Sequence, residues 1–237
     1  MTAQLSKAKA ISWFIATIVT PLSLSLLCAN GYIAYWYYQM AIKGTQHKGP
    51  PPLEVMQRGV FYTAGIGLWL TVFIWWLIKR KKCSFSALYC LRTTSLLKDI
   101  AWGLLLGVAW ILVYGLLGWP AFSSMFLLNK AKLVSIPTSL SAGFCEEFLF
   151  RGFLISLVAQ AGGGKKMQIL WSSIAFGLAH LLWGSIVALL FTFLLGLSFA
   201  AITIRRGNVW AAVTAHSILN LFIEPGLINK AMSMYSQ

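Results

Sequence analysis

Runs of about twenty apolar residues, repeated along the whole chain, set the strongest limit on what this sequence can fold into. They fall near 11–29, 59–78, 100–119, 139–160, 168–183, 186–204 and 208–223, with 226–236 long enough for a short eighth element. An α-helix rises 1.5 Å per residue, so ~20 residues cross the ~30 Å hydrocarbon core of a bilayer. The reading is an all-α, polytopic transmembrane bundle of about seven to eight spans. Only 10% of the 237 residues are charged against 59% hydrophobic, where a soluble domain carries about 25% charged. Such a bundle supplies its own core, so one membrane domain accounts for the chain.

The formal charge of +14 invites comparison with nucleic-acid-binding proteins, but the basic residues sit between apolar runs. That is the pattern of membrane topology, and nucleic-acid binding is set aside. With the amino terminus in the cytoplasm, the inner segments hold Lys7, Lys9, Lys79, Arg80, Lys81, Lys82, Arg92, Lys98, Lys165, Lys166, Arg205 and Arg206. The outer segments hold Lys43, Lys48, Arg58, Lys130, Lys132 and Lys230. The excess favours that orientation, and a bacterial inner (plasma) membrane is the expected location. The first run exceeds a secretory h-region and no clean small-x-small cleavage site follows it, so a retained helix is expected. Cys28, Cys83, Cys90 and Cys145 form no CxxC pair, which points to free thiols rather than a zinc knuckle or disulfide framework.

Breakers divide the chain. Gly44, Gly49 and Pro50-Pro51-Pro52 interrupt helix within a connection at 39–58. Residues 79–98 form the most basic connection, suited to an anionic lipid surface. Trp119-Pro120 closes the third span, and Ser135 with Pro137 starts the fourth. Gly162-Gly163-Gly164 and Arg205-Arg206-Gly207-Asn208 mark the turns on either side of spans five and six. This gives three regions: 1–136, the N-terminal helices and basic loop; 137–223, a core of four spans; and 224–237, a tail or short helix. Tryptophans near span ends read as an interfacial belt.

Five acidic residues occur in the chain, and two are adjacent at Glu146-Glu147. A charge at membrane depth costs at least ~2.5–3.5 kcal/mol, which makes it a functional candidate by default. Glu147 and Arg151 stand at i and i+4 with the acid first, the favourable order for a helical ion pair. Glu146 points about 100° away around the helix and is left for other work, such as that of a general base. The bland alternative is a structural ion cluster joining helices.

Two further polar elements follow. One is Phe176-Gly177-Leu178-Ala179-His180; taken alone, a histidine on an apolar helix is more often a packing residue. The other is His216-Ser217-Ile218-Leu219-Asn220, where His and Asn at i and i+4 share one helix face. Small neighbours Ala211, Ala212, Ala215 and Ser217 permit close helix approach. At the helical rise, Glu146 lies roughly 14 Å beyond Pro137, and His180 roughly 18 Å beyond Gln168. His216 and Asn220 lie roughly 12 and 18 Å beyond Asn208, so all four fall near the mid-plane. A carboxylate, two imidazoles and a carboxamide at one depth suit hydrolysis. Glu146 and His180 can hold and deprotonate water, and His216 and Asn220 can donate to a developing oxyanion. The same Glu146, His180 and His216 are a chemically sufficient set for zinc, although the spacing is not HExxH.

Glu146-Glu147-x-x-x-Arg151, Phe176-x-x-x-His180 and His216-x-x-x-Asn220, in that order on successive apolar helices, resemble the CPBP family of CAAX proteases and bacteriocin-processing (Abi) enzymes. The resemblance covers roughly 137–223 and departs from none of the three motifs. It implies an all-helical intramembrane endopeptidase of glutamic type, formerly classed as a metalloprotease. The positions of Glu146 and His180 would activate water, those of His216 and Asn220 would form the oxyanion site, and those of Glu147 and Arg151 would support them. No cofactor is expected, with zinc as the alternative. The expected partners are a peptide or membrane-protein substrate and the lipid bilayer. Competing readings are a non-proteolytic immunity or scaffold protein of the same fold, a proton-coupled transporter and a cysteine protease using Cys145.

Overall fold

The computed structural model describes residues 93–117, 130–180 and 186–235, and the isolated positions 11, 12, 15 and 42. At 130–135, 137, 138 and 224–235 it describes the backbone alone. Apart from those isolated positions, the first two apolar runs, the 39–58 connection, most of the 79–98 loop and Trp119-Pro120 lie outside the described residues. Among the described residues the regular elements are all helical.

Helix α1 spans Leu96–Leu116 and starts at Ser95, whose hydroxyl accepts from Lys98 N. Capping satisfies an amide that has no partner within the helix. Helix α2 spans Lys130–Glu147 and runs without a break through a π-helical segment, Phe148–Leu154, into α3, Ile155–Gln160. Pro137 therefore lies inside a helix that began seven residues earlier, not at its first turn as the breaker pattern suggests. A proline removes one amide bond but does not end a helix whose neighbours hold it in place, as is common in membrane helices. The glycine turn follows, with Gly162 at φ 84 and the Gly163 amide donating to Val158 O at 2.9 Å.

Helices α4 (Lys165–Ala179), α5 (Ile186–Arg206) and α6 (Trp210–Tyr235) complete the described chain. Gly207, at φ 69, makes the turn between α5 and α6. The Asn208 side chain accepts from Trp210 N at 3.1 Å and caps α6. The backbone of 226–235 continues α6 and is not a separate element.

Helix α6 packs against α1, α2 and α5, while α4 packs against α5. Small residues set these approaches: Ala211, Ala212 and Ala215 are wholly buried. A methyl on Gly103 would stand 2.5 Å from both Ala211 O and Thr214 Cβ, and one on Gly143 would run into Ser217 Oγ. Packing of this kind drives helix association where lipid gives no hydrophobic advantage. Gly103→Ala is expected to cost about 1–3 kcal/mol by overpacking. Gly164→Ala, where nothing lies within 4 Å, should cost less, no more than about 1 kcal/mol for replacing the glycine N-cap of α4. Thermal unfolding of both variants in detergent measures the difference, and equal midpoints would refute the close approach.

A buried acid ties three helix ends together. Asp99, in the first turn of α1, is wholly buried and accepts from Arg206 Nε at 2.6 Å and Asn208 Nδ2 at 2.9 Å, and also from the Thr93 hydroxyl. The start of α1, the end of α5 and the start of α6 thus share one end of the bundle. Charge counting assigned Lys98, Arg205 and Arg206 to one side, and they do lie together.

Leu96–Leu116 and Ile186–Arg206 are long and apolar enough to cross a bilayer, with mean hydropathy 1.9 and 2.4. Only 22% and 33% of their apolar windows are buried, whereas the core helix of a soluble protein would be mostly covered. Leu97, Leu105, Leu112, Leu190 and Leu194 face outward on these two helices, the arrangement of helices that meet lipid. Among the described residues these two helices are the candidate spans; the bundle of seven to eight is the expectation from the sequence alone.

Candidate active site

Glu147 lies at the junction of α2 and the π-helical segment, and its side chain is wholly buried. Its Oε1 accepts from Arg151 Nη1 at 2.9 Å and also meets His216 Nδ1 at 2.8 Å. The i, i+4 ion pair read from the sequence is therefore formed. The contact with His216 was not legible, because it joins residues 69 positions apart. A carboxylate accepts only, so Nδ1 of His216 carries the proton.

Arg151 is wholly buried. Its guanidinium carbon lies 4.1 Å from the ring centroid of Phe176, 5.5 Å from Phe199 and 5.8 Å from Phe150. Aromatic faces attract a cation most when water is excluded, so the rings replace part of the lost hydration. Phe176 also meets the His216 ring edge-on at 5.6 Å and the His180 ring at 4.7 Å. One aromatic side chain thus touches three of the polar residues.

Glu146 turns away from this pair. Its Oε2 faces His180 Nε2 at 3.9 Å, and their side chains keep 30% and 20% of their exposure. That separation exceeds a direct hydrogen bond and is within reach of a shared water. His180 Nδ1 stands 2.8 Å from Phe176 O. A carbonyl only accepts, so Nδ1 holds the proton, and neutral His180 presents an unprotonated Nε2 to Glu146.

The sequence does not announce the π-helical segment between Glu147 and α3. Wider turns of this kind are rare and often occur at functional sites. Hydroxyl groups meet its carbonyls: Ser172 donates to Phe150 O at 2.9 Å and Ser156 to Gly152 O at 2.7 Å. The Ser172 bond also fixes α4, which carries His180, against the element that follows Glu146. A serine on an apolar helix was the signal available, but nothing in one sequence identifies its partner.

Measured from the glycine turn, Glu146 lies fourteen residues before Gln160 and His180 fifteen after Lys165. Counting from Pro137 loses its basis because α2 starts at Lys130, but the 3.9 Å approach of Glu146 to His180 puts those two side chains at one level. Asn220 lies one turn beyond His216 on α6 and is partly buried. Cys145 is free and half-buried, and it is its neighbours Glu146 and Glu147 that reach the histidines. Five of the six residues form two linked groups, Glu146–His180 and Arg151–Glu147–His216, joined through Phe176; Asn220 belongs to neither. Among the described residues no three His, Cys, Asp or Glu side chains are grouped as a metal site, so Glu146, His180 and His216 do not converge on one ion here.

Residues 128–222 match the family model described as type II CAAX prenyl endopeptidase Rce1-like. The matched segment contains all six residues above and agrees with the CPBP resemblance carried by the three motifs. No curated protein and no solved structure matches the chain.

Proposed function

We propose that this membrane protein, with an Rce1-like endopeptidase segment at 128–222, hydrolyses peptide bonds within or at the edge of the bilayer by a glutamate-type mechanism. The single observation that carries the reading is the facing of Glu146 Oε2 and His180 Nε2 at 3.9 Å, with the His180 tautomer fixed by Phe176 O. A water between these atoms is oriented by Nε2 and loses a proton to the carboxylate as its oxygen attacks the peptide carbonyl carbon. The tetrahedral oxyanion is stabilised by donors from His216 and Asn220. Glu146 then returns the proton to the leaving amine as the carbon–nitrogen bond breaks.

The geometry sharpens the part of His216. Its Nδ1 proton is engaged by Glu147, so only the imidazolium form has an Nε2 proton to give an oxyanion. Glu147 holds that ring in place and balances its charge, while Arg151 holds Glu147. The substrate is a peptide or membrane protein, and the family description makes a prenylated carboxyl-terminal CAAX sequence the first to try.

No metal takes part in the proposed reaction. Activity in lipid vesicles is therefore expected to survive exhaustive chelation, and its loss with recovery on adding zinc would overturn the metal-free scheme. The substrate is sought by comparing peptides from membranes carrying wild-type protein with those carrying Glu146→Ala. Cleavage products confined to the wild type are expected. Identical peptide sets, together with an unchanged immunity phenotype in the Glu146 and His180 variants, would favour a non-proteolytic role.

A further inference from the structure

Helices α1 and α5 flank an open, shallow groove of about 460 Å³, lined by Trp102, Leu105 and Ala109 on one side and Ser198, Ala201 and Arg205 on the other, among others. We propose that this groove holds an anionic phospholipid, with its phosphate at Arg205 and the start of an acyl chain along the apolar wall.

The two helices run antiparallel, because Asp99 near the start of α1 pairs with Arg206 at the end of α5. At the Ser198 end of the groove Trp110 Nε1 donates to Ser198 Oγ at 3.0 Å, tying α1 to α5. From Trp102 to Ala109 is seven residues, roughly 10 Å, or a third of the ~30 Å hydrocarbon core. On α1 the groove thus runs from about 9 Å beyond the helix start to just past its middle, while on α5 it begins at Arg205, next to the helix end. That extent suits the glycerol end of a lipid and the first part of one chain. Its outer rim is Leu105, which is 66% exposed.

The charge at the mouth selects the lipid. Asp99, the neighbouring acid, is committed to Arg206 and Asn208. Arg205 and Lys98 are exposed at the same end, and the guanidinium carbon of Arg205 lies 5.9 Å from the Trp102 ring centroid. Tryptophan favours the headgroup level, and basic pockets between membrane helices bind anionic headgroups. A polyisoprenoid chain alone would match the wall but has no use for Arg205. The groove shares no lining residue with the Glu146–His180 pair, so its fate and that of the endopeptidase reading are separable.

The test is native mass spectrometry of the purified, delipidated full chain titrated with phosphatidylglycerol or phosphatidylcholine of the same acyl chains. Wild type is expected to hold phosphatidylglycerol roughly fivefold more tightly, the size of one cationic contact near a membrane surface. Arg205→Ala should abolish the preference, and Arg205→Lys should keep it in part. Ala201→Trp, at an exposed position, should weaken both lipids by filling the groove, with the thermal midpoint as a check on folding. Equal retention of the two lipids by wild type, an unchanged preference in Arg205→Ala, or displacement of the lipid by a farnesylated peptide would each overturn the proposal.

Discussion

Glu146→Gln is expected to lower the rate of peptide cleavage by about 10²–10⁴-fold, the usual contribution of a positioned general base. The substitution keeps the shape of the side chain and removes its capacity to take a proton, so substrate affinity and the thermal midpoint should stay near wild type. His180→Ala should fall in the same range, because Nε2 faces that carboxylate. The double variant should be little worse than either single one, since residues acting as a unit are not additive. Cys145→Ala serves as the control: it changes a half-buried thiol next in sequence, and full activity is expected. Full activity in Glu146→Gln would sink the mechanism, and loss of activity in Cys145→Ala alone would revive the cysteine-protease reading.

The second large effect concerns stability. Arg151→Ala leaves Glu147 wholly buried with only His216 to meet its charge, and breaking such a buried pair costs about 3–5 kcal/mol. The truncation also removes the cation facing Phe176, a further loss where water is excluded. The thermal midpoint in lipid nanodiscs is the readout. A second variant separates support from catalysis. Glu147→Leu with Arg151→Met replaces the pair by apolar groups, which is often neutral or stabilising. That double variant should regain most of the stability but not the activity, because His216 Nδ1 has lost its acceptor. Recovery of both would show that Glu147 and Arg151 serve packing alone. Failure to recover stability would show that the cage of Phe150, Phe176 and Phe199 is built for a cation and not for a methionine.

Much of the site was legible in the sequence, for local reasons. Glu147 and Arg151 are four residues apart on one helix, so their meeting needs no long-range information. The same spacing placed His216 and Asn220 one turn apart on α6. The three motif strings also sufficed to point to the family segment that 128–222 matches. The assignment of Glu147 was incomplete, since its Oε1 serves both Arg151 and His216. A local pattern can reveal the first partner and never the second. The start of α2 was misplaced for the opposite reason: Pro137 is a strong local breaker, yet in this bundle the helix continues through it from Lys130.

What the sequence by itself determined is the helical, lipid-facing character of the described chain and the small set of polar residues it must shelter. Both follow from apolar run length and from the cost of charge away from water. Only the tertiary structure decided how those residues pair. It set Glu146 toward His180 and Glu147 toward His216, although the two acids are adjacent. Neighbours on a helix point about 100° apart, so which of them faces α4 and which faces α6 depends on how the rods pack. That packing rests on Gly143 against Ser217, Ser172 bonded to Phe150 O, and Asp99 joining α1, α5 and α6. Each of these contacts joins residues at least 22 positions apart, and no periodicity in one chain encodes such a pairing.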